Sequence, residues 1–213
     1  IIKVGGVTEM QCVETGDPQF CDLISRFDDG TIFQIRLPTA NFGKLDTSGY
    51  DIGLKYLWRD TPIGDFRFSV DATYIDKYDS VVFPGTAPIH VAGTYDRQYG
   101  NYAKWRGQAG IGWAMDPFTA LLTARYIHSL ELLDPDGAPG IQPALQIPSH
   151  TYVDFSVGYA FNEEKTRVQL SVDNLTNETP PMMYQNNVLN SNTDVSTYDL
   201  IGTYYRVSLS HKF

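Results

Sequence analysis

Apolar and polar side chains alternate along most of the chain with a period of two, which is the period of a β-strand that has one apolar face. The pattern is clearest in the last ten residues, where one face carries Tyr205, Val207, Leu209, His211 and Phe213. The opposite face of this segment carries Tyr204, Arg206, Ser208, Ser210 and Lys212. Such a strand has one side suited to an apolar environment and one side suited to water.

The same alternation recurs upstream and predicts eight strands in all. Their approximate spans are 31–37, 50–58, 66–74, 104–113, 118–130, 153–161, 167–173 and 204–213. The segment 118–130 departs from the pattern, because Leu121 and Ile127 fall on its otherwise polar face. No helix is predicted between the strands, so the fold class is all-β with an antiparallel sheet.

The predicted connections between these strands fall into two classes. Three are tight turns, at 60–65, 115–117 and 162–165, and three are long loops, at 80–101, 131–149 and 177–201. Short turns at one end and long loops at the other are typical of outer-membrane β-barrels. Aromatic residues near the ends of the apolar faces, such as Trp58 and Trp105, would form the girdles at the two membrane interfaces.

An antiparallel sandwich or a soluble barrel would show the same alternation, with the apolar face as its core. The polar faces favour a membrane barrel, because they carry many charges of both signs. Eight strands closed on themselves would leave an interior only wide enough for side chains, and each ion buried there would cost on the order of several kcal/mol. The pattern therefore predicts a transmembrane β-barrel in which about eight strands belong to a larger ring with a water-filled lumen.

Composition narrows the classes of function. The chain has 213 residues and a formal net charge of −9 at pH 7, so few cations are available to neutralise phosphates and nucleic acid is not expected as a partner. No Gly-rich phosphate loop, zinc pattern or nucleophile elbow is present, and the four histidines are scattered. We therefore expect no enzymatic activity, no cofactor and no metal site. The chain starts with Ile-Ile-Lys, without an initiator Met or a signal peptide, and we expect it to be a piece of a longer protein.

The two cysteines, Cys12 and Cys21, lie nine positions apart in a polar stretch that contains Gly16, Asp17 and Pro18. These turn-forming residues allow the chain to fold back on itself, which favours a local disulfide. A disulfide would indicate an oxidising compartment such as the periplasm or the cell surface. Two free thiols, or metal or redox chemistry, are the alternatives.

The C-terminal segments resemble the last two strands of TonB-dependent outer-membrane receptors. The segment VQLSVDNLTNETPP contains the Asn-Leu pair, here Asn174 and Leu175, with which the penultimate strand of that family typically ends. The segment YDLIGTYYRVSLSHKF contains a glycine before the strand, Gly202, and ends in an aromatic residue, Phe213, as the family's final strand does. Upstream, NFGKLDTSGYDIGLKYLWRDTPIGDFRFSVDATYI and KWRGQAGIGW are also similar to strand patterns of the family.

The resemblance implies a 22-stranded barrel with an N-terminal plug domain folded inside it and a TonB box, both outside this sequence. The final strand of such barrels ends in the periplasm, which places the short turns there and the long loops outside the cell. Residues 1–30 would be the end of a preceding strand and a periplasmic connector that carries Cys12 and Cys21. Residues 31–213 would be the C-terminal barrel strands with long extracellular loops.

The resemblance also implies location and partners. The chain would lie in the bacterial outer membrane, in contact with lipid and with its own plug domain. Its other partners would be the TonB–ExbB–ExbD energising complex, the barrel-assembly machinery, and a small-molecule or oligosaccharide ligand. The alternating residues Tyr205, Val207, Leu209, His211 and Phe213 look like the C-terminal signal that the assembly machinery reads, and they are equally the lipid face of a strand.

Candidate ligand contacts lie in the long loops, where aromatic and hydrogen-bonding side chains cluster. They are Tyr95, Arg97, Tyr99, Tyr102, Met182, Met183, Tyr184, Gln185 and Asn186. Aromatic faces suit sugars or siderophore rings, although these residues could instead pack the loops against one another. The lumenal arginines Arg106, Arg125 and Arg167 are expected to face the plug.

The predicted function is energised uptake of a scarce nutrient, such as a ferric siderophore, cobalamin or an oligosaccharide. A passive porin or a small complete outer-membrane barrel is the first alternative, and a soluble β-sandwich binding module is the second. On the receptor hypothesis this piece alone should neither transport nor fold stably, because its two edge strands would expose unpaired backbone to lipid.

Overall fold

The structure, a computed structural model, describes residues 5–36, 43–81, 87–96, 99–133, 145–161, 163, 165–183 and 192–213. The chain forms two compact units, Ile1–Phe42 and Gly43–Phe213. The predicted boundary after residue 30 therefore differs from the observed one by twelve residues. The reason is that the segment predicted as the first barrel strand belongs to the first unit.

Two helices open the first unit, α1 at Gly5–Thr15 and α2 at Pro18–Cys21. The expectation that residues 1–30 contain the end of a strand is thus wrong for residues 5–21. Asp17 caps α2 by accepting a hydrogen bond from the Gln19 backbone N–H at 2.9 Å. Pro18 fits the first helical position because the backbone N–H that proline lacks has no intrahelical partner there. No helix in the described ranges is long and apolar enough to cross a membrane.

The disulfide between Cys12 and Cys21 is formed and links the two helices. This confirms the pairing that the turn-forming residues favoured over free thiols. Gly16 lies between the helices with φ +66°, a backbone conformation that glycine adopts without steric cost. Its N–H also donates to the Cys12 carbonyl at 2.9 Å, so the turn is closed by hydrogen bonding as well as by the disulfide.

A short antiparallel hairpin completes the first unit, with strands β1 at Ile24–Arg26 and β2 at Ile32–Ile35. Asp29 forms its turn by accepting from the Thr31 backbone N–H at 2.9 Å. A strand was predicted at 31–37, but within the described residues β2 pairs only with β1. The large sheet of the second unit consequently has one long strand fewer than predicted.

The described residues of the second unit form seven long strands and five short ones. They are β3 Lys44–Thr61, β4 Gly64–Val81, β5 Ile89–His90, β6 Thr94–Asp96, β7 Gly100–Asn101, β8 Trp105–Met115, β9 Phe118–Ile127, β10 Leu130–Leu132, β11 Gln146–Ile147, β12 His150–Phe161, β13 Thr166–Asp173 and β14 Tyr204–His211. The long strands form one antiparallel sheet in the order β14-β13-β12-β9-β8-β4-β3. Seven of the eight predicted strands are therefore confirmed as neighbours in one sheet.

The register gives the sheet an apolar face and a polar face. One row of paired residues runs Leu54, Val70, Ala109, Ala124 and Val153 across five strands. The adjacent row, one residue along, runs Lys55, Ser69, Gly110, Thr123 and Asp154 on the opposite face. We call the first side the outer face and the second the inner wall.

Large apolar side chains on the outer face are exposed, as for Leu54 at 61% and Val207 at 71%. In the part of the chain that the structure describes, no second sheet packs against this face. The buried apolar residues lie instead in the loops. A soluble sandwich, whose core would be formed by this face, is therefore contradicted.

Two aromatic belts cross the outer face. In each of four neighbouring strands, two aromatic residues lie eight positions apart: Tyr50 and Trp58, Phe66 and Tyr74, Trp105 and Trp113, and Phe118 and Tyr126. Eight residues of strand span about 26 Å, and a tilted strand of that length fits the apolar band of an outer-membrane barrel. The rings pack across the strands within each belt, as Tyr74 and Trp105 do with centroids 4.7 Å apart.

The short turns lie at one end of the sheet and the long connections lie at the other, as predicted. The turns after β3, β8 and β12 are short, and the connections after β4, β9 and β13 are long. We call the two ends of the sheet the short-turn end and the loop end. Within the described residues β3 and β14 each have one long-strand neighbour, so the sheet is open at both edges and the 22-strand count stays a prediction.

Candidate functional site

The long loops fold into a small core of their own at the loop end. Its buried members are Tyr95, Ala103, Leu130, Leu132, Ile147, Met183 and Tyr198. Ile127, at the loop end of β9, packs against this cluster. This contact explains why an apolar residue interrupts the polar face of β9.

Backbone pairing also joins the loops. β10 runs parallel to β6 through Glu131 with Thr94 and Leu132 with Tyr95, while β7 and β11 flank the pair in antiparallel orientation. The connections after β4 and β9 therefore share one four-stranded sheet. Their backbone N–H and C=O groups are satisfied by each other, which allows apolar side chains to be buried between them.

The third long connection crosses the inner wall as a segment that we call the strap, Thr193–Asp199. Asp199 accepts a hydrogen bond from Arg125 Nη1 at 3.3 Å and forms an ion pair with the same guanidinium. Arg125 also donates from Nε to Asp154 at 3.2 Å and lies over the Tyr152 ring, 5.1 Å from its centroid. A charged side chain of the wall is thus matched by one carboxylate of the strap and one of the sheet.

The other end of the strap is held by Asp194. Its carboxylate accepts from the Ser196 backbone N–H at 3.0 Å and from the Asn101 side-chain amide. Arg106 then donates to the Asn101 carbonyl at 3.0 Å and to Thr197 Oγ1 at 3.5 Å. Both ends of the strap are therefore tied to the wall or to the neighbouring loop through charged groups.

Burial and hydrogen bonding act in opposite directions on Asp194. Burial raises the pKa of its carboxyl, hydrogen bonds from Ser196, Thr197 and Asn101 lower it, and the net shift of the pKa is downward. The carboxylate is thus stabilised in its charged form. Burial also raises the pKa of Tyr198, whose ring packs edge-on against His150 with centroids 5.1 Å apart, so this phenol stays protonated at neutral pH.

A cavity of about 590 Å³ lies between the strap and the inner wall. Its polar lining includes Asp51, Asp71, Arg106, Gln108, Arg125 and Thr197. Carboxylates accept and guanidinium and amide groups donate, so a polar solute with both donors and acceptors could be bound here. In the described residues no group of three or more His, Cys, Asp or Glu side chains is arranged to hold a metal ion.

The predicted ligand-contacting residues differ in their burial and in their contacts. Tyr95 and Met183 are fully buried in the loop core, so the prediction that they contact a ligand at the surface is wrong and the loop-packing alternative holds for them. Tyr102 stacks on Tyr78 with centroids 4.2 Å apart, and Tyr99 is half-buried. Met182 is exposed. Arg97, Tyr184, Gln185 and Asn186 lie outside the described residues.

The three lumenal arginines differ in their hydrogen-bond partners. Arg106 and Arg125 are engaged by the loops and the strap, and their expected contact with the plug stays a prediction. Among the described residues, the hydrogen-bond partner of the Arg167 side chain is the Thr119 hydroxyl, at 3.0 Å. Arg167 lies near the short-turn end, and its expected contact with the plug stays a prediction.

The last strand, β14, is confirmed, and Tyr205, Val207 and Leu209 are exposed on the outer face. His211 lies within hydrogen-bond distance of Thr166 Oγ1, at 2.8 Å, and its ring contacts Phe213 edge-on. Reading of this strand by the assembly machinery stays a prediction.

Sequence reasoning missed the strap. Its anchors Asp194 and Asp199 lie in a polar loop without periodicity. One local signal was available, because an Asp followed two residues later by Ser, here Asp194 and Ser196, is typical of a turn in which the carboxylate accepts the backbone N–H. That signal predicts the turn, but it does not predict which residues of the inner wall the strap contacts.

An antiparallel sheet with an exposed apolar face, two aromatic belts and a polar inner wall defines part of a membrane-spanning β-barrel. The model of the TonB dependent receptor-like β-barrel family matches residues 19–175. The chain therefore belongs to the TonB-dependent receptor β-barrel family and forms a part of such a barrel. This is a family of receptors and transporters, not of enzymes, and its barrels lie in the outer membrane of Gram-negative bacteria.

Among solved structures, the chain is similar to the ferric-catecholate import receptor Fiu from Escherichia coli K12 in its closed form. The sequence identity is 20% and the TM-score is 0.49, over 89% of this chain and 23% of that chain. This chain thus spans about a quarter of the length of that receptor. No curated protein matches the chain.

Proposed function

We propose that the chain is the C-terminal part of a TonB-dependent outer-membrane receptor that binds a scarce nutrient at the cell surface and admits it with energy delivered from the inner membrane. The observation that carries the proposal is the family match over residues 19–175, on strands that have an apolar outer face and a polar inner wall. The receptor's own plug domain, the TonB–ExbB–ExbD complex, the barrel-assembly machinery and outer-membrane lipid are its proposed partners.

The proposed site of entry is the loop end, where the cavity beneath the strap opens on the inner wall. Its mixture of donors and acceptors favours a polar ligand over a purely apolar one. A ferric siderophore, cobalamin or an oligosaccharide has this character. Tyr99, Tyr102 and Met182 are the remaining described candidates for loop contacts with it.

The orientation of the barrel in the membrane also belongs to the proposal. If the final strand ends in the periplasm, the short-turn end is periplasmic and the loop end is extracellular. The periplasmic assignment of Cys12 and Cys21 counted 31–37 as a barrel strand, but within the described residues β2 pairs with β1 and not with the large sheet.

The experiment is growth of a strain that lacks the receptor gene on limiting amounts of each nutrient class, with the wild-type receptor restored and with or without TonB. We expect one nutrient to require both the receptor and TonB. Uptake that requires the receptor but continues without TonB would contradict the proposal and favour a passive porin. Growth on every nutrient without the receptor would leave the proposed uptake without support and reject it for those nutrients.

A further inference from the structure

Two tyrosine rings stack on each other at the loop end, outside the aromatic belts. Tyr78 lies in β4, beyond the belt residue Tyr74, and Tyr102 lies between β7 and β8. Their ring centroids are 4.2 Å apart with 28° between the ring planes, and the Tyr78 hydroxyl donates to the Tyr102 hydroxyl at 3.2 Å. Because the rings stack and their hydroxyls meet, the ring carbons next to the two hydroxyls also face each other. We call Tyr78 and Tyr102 the tyrosine pair.

Backbone hydrogen bonds hold both members of the tyrosine pair against the same short segment. The Val91 N–H donates to the Tyr78 carbonyl at 2.8 Å, and the Tyr102 N–H donates to the Thr94 carbonyl at 3.0 Å. The Gly93 N–H donates to the Tyr102 carbonyl at 2.6 Å. The backbones of the two residues therefore cannot separate without breaking these bonds, so the contact of the rings exists before any reaction.

A second stacked pair of tyrosines gives an internal comparison. Tyr50 and Tyr74 face each other across β3 and β4 in the aromatic belt, with centroids 6.4 Å apart. Aromatic pairs in proteins typically have centroids about 4.5 to 7 Å apart, so this separation is ordinary. The rings of the tyrosine pair are closer than that range.

Both rings of the tyrosine pair are half-buried, whereas Tyr95, Tyr152 and Tyr198 are buried. A small oxidant dissolved in water can therefore reach the pair. The ring that loses an electron is already in contact with a second phenol. Reactants held in contact combine at an effective concentration far above that of free molecules, which favours coupling within the pair.

We propose that the tyrosine pair is a site of oxidative modification, at which a peroxide joins Tyr78 to Tyr102 by a carbon–carbon bond. Each phenol loses one electron and its hydroxyl proton and becomes a phenoxyl radical. The radicals couple through a carbon next to each hydroxyl, and the hydrogens of these two carbons move to the oxygens, which restores both hydroxyls. Hydrogen peroxide takes up the two electrons and two protons, its O–O bond breaks, and two waters form. A haem or another redox-active metal centre in solution passes the electrons one at a time.

The bond ties the loop core to β4. Ala103, next to Tyr102, is buried in the loop core, and Tyr78 lies 24 positions from Tyr102 along the chain. A cross-link over that distance excludes open conformations in which the two residues are apart. Protease should therefore cleave the oxidised receptor within residues 87–96 more slowly than the untreated receptor.

The test treats the purified full-length receptor, reconstituted in lipid, with hydrogen peroxide and a soluble haem peptide. Dityrosine fluorescence and mass spectrometry of protease fragments measure the product. We expect the fragment that joins Tyr78 to Tyr102, lighter by two hydrogens than its parts, to be about tenfold more abundant than any other tyrosine cross-link. Y102F should lack this fragment, because phenylalanine keeps the ring but cannot form a phenoxyl radical. The control Y50F, which changes the comparison pair, should keep it.

Equal dityrosine fluorescence in Y102F and the wild type would overturn the inference. Cross-links between Tyr50 and Tyr74, or between two receptor molecules, that form as readily as the one between Tyr78 and Tyr102 would also overturn it. If Y102F does not fold, the wild type treated in urea takes its place. The Tyr78–Tyr102 fragment should then fall to the abundance of the other cross-links, and an unchanged abundance would show that the folded contact is not its cause. Uptake is not measured, so failure here leaves the proposed function as it stands.

Discussion

Asn174 organises the transition from β13 to β14 through its side chain and its backbone. Its side-chain amide donates to the Glu178 carbonyl at 2.8 Å, and its Oδ1 accepts from the Glu178 N–H at 2.8 Å. Its own N–H donates to Asp154 and its carbonyl accepts from Thr203 Oγ1, both at 2.9 Å. The residue is buried and has φ +52°, a conformation that asparagine tolerates better than most residues. The Asn-Leu pair seen in the sequence therefore has a structural reason.

We predict that Asn174→Ala lowers the free energy of unfolding of the receptor barrel by about 2–4 kcal/mol, because it leaves the half-buried backbone N–H and C=O of Glu178 without partners and places alanine at positive φ. Asn174→Gly should lie between the wild type and the alanine variant, since glycine removes the strain but not the lost hydrogen bonds. Urea unfolding in lipid measures both. Leu175→Ala is the control, because Leu175 is exposed, and an alanine effect at 174 no larger than at 175 would refute this role.

The stability of the strap is expected to depend on pH through Asp194. Because the folded-state pKa of Asp194 is lowered below the unfolded value, its contribution to stability is present above the unfolded pKa, near 4, and is lost as the pH falls through the folded pKa. Hydrogen exchange of the strap, corrected for intrinsic rates, should be constant from pH 7 to about 4 and rise below that. Asp194→Asn should lack this rise, and the same rise in both proteins would assign the titration to another group.

At the level of elements, the strap is a connection held by an ion pair and side-chain hydrogen bonds rather than by sheet pairing. Within the described residues it has no strand of its own, and Arg125 and Arg106 supply its contacts with the wall. Tyr198 adds the apolar contact, buried in the loop core. Such a segment can be released by breaking a few polar contacts and exposing Tyr198, without unpairing a strand.

We predict that Asp199→Ala loosens the strap, because Arg125 keeps Asp154 but loses its partner across the cavity. Cleavage by protease within residues 192–199 should become about tenfold faster, as expected when a hydrogen-bonded charge pair is removed. The control is Asp173→Ala, which breaks the pair with Arg206 outside the strap. Equal cleavage of Asp199→Ala and the wild type would show that the ion pair does not hold the strap.

Elements differ in how far the sequence predicts them. Alternation over eight or more residues predicted the long strands, because burial of one face in lipid imposes a strict period of two. The helices at 5–21 were missed, since a short helix closed by a disulfide does not need an apolar stripe. The strand at 31–37 was assigned to the wrong sheet, because alternation predicts a strand but not its partner.

On the scale of the molecule, alternation predicts which face of each long strand is apolar but not which other segments contact its polar face. The exceptions to the apolar-polar pattern carried the most information about sites. Ile127 marks the contact of the wall with the loop core, and Leu121 lines a cavity of the inner wall near the short-turn end. Neither role could be predicted from the sequence, because each depends on residues that are distant along the chain.

The central claim is that the apolar face of the long strands contacts lipid hydrocarbon and the polar face lines water. Spin labels on single cysteines test it most directly, at Leu54, Val70 and Ala109 on the outer face and at Lys55, Ser69 and Gly110 on the inner wall. In the receptor reconstituted in lipid, the first three positions should be more accessible to oxygen and the second three to a water-soluble nickel complex. Equal accessibility in the two sets, or the reverse order, would contradict the account.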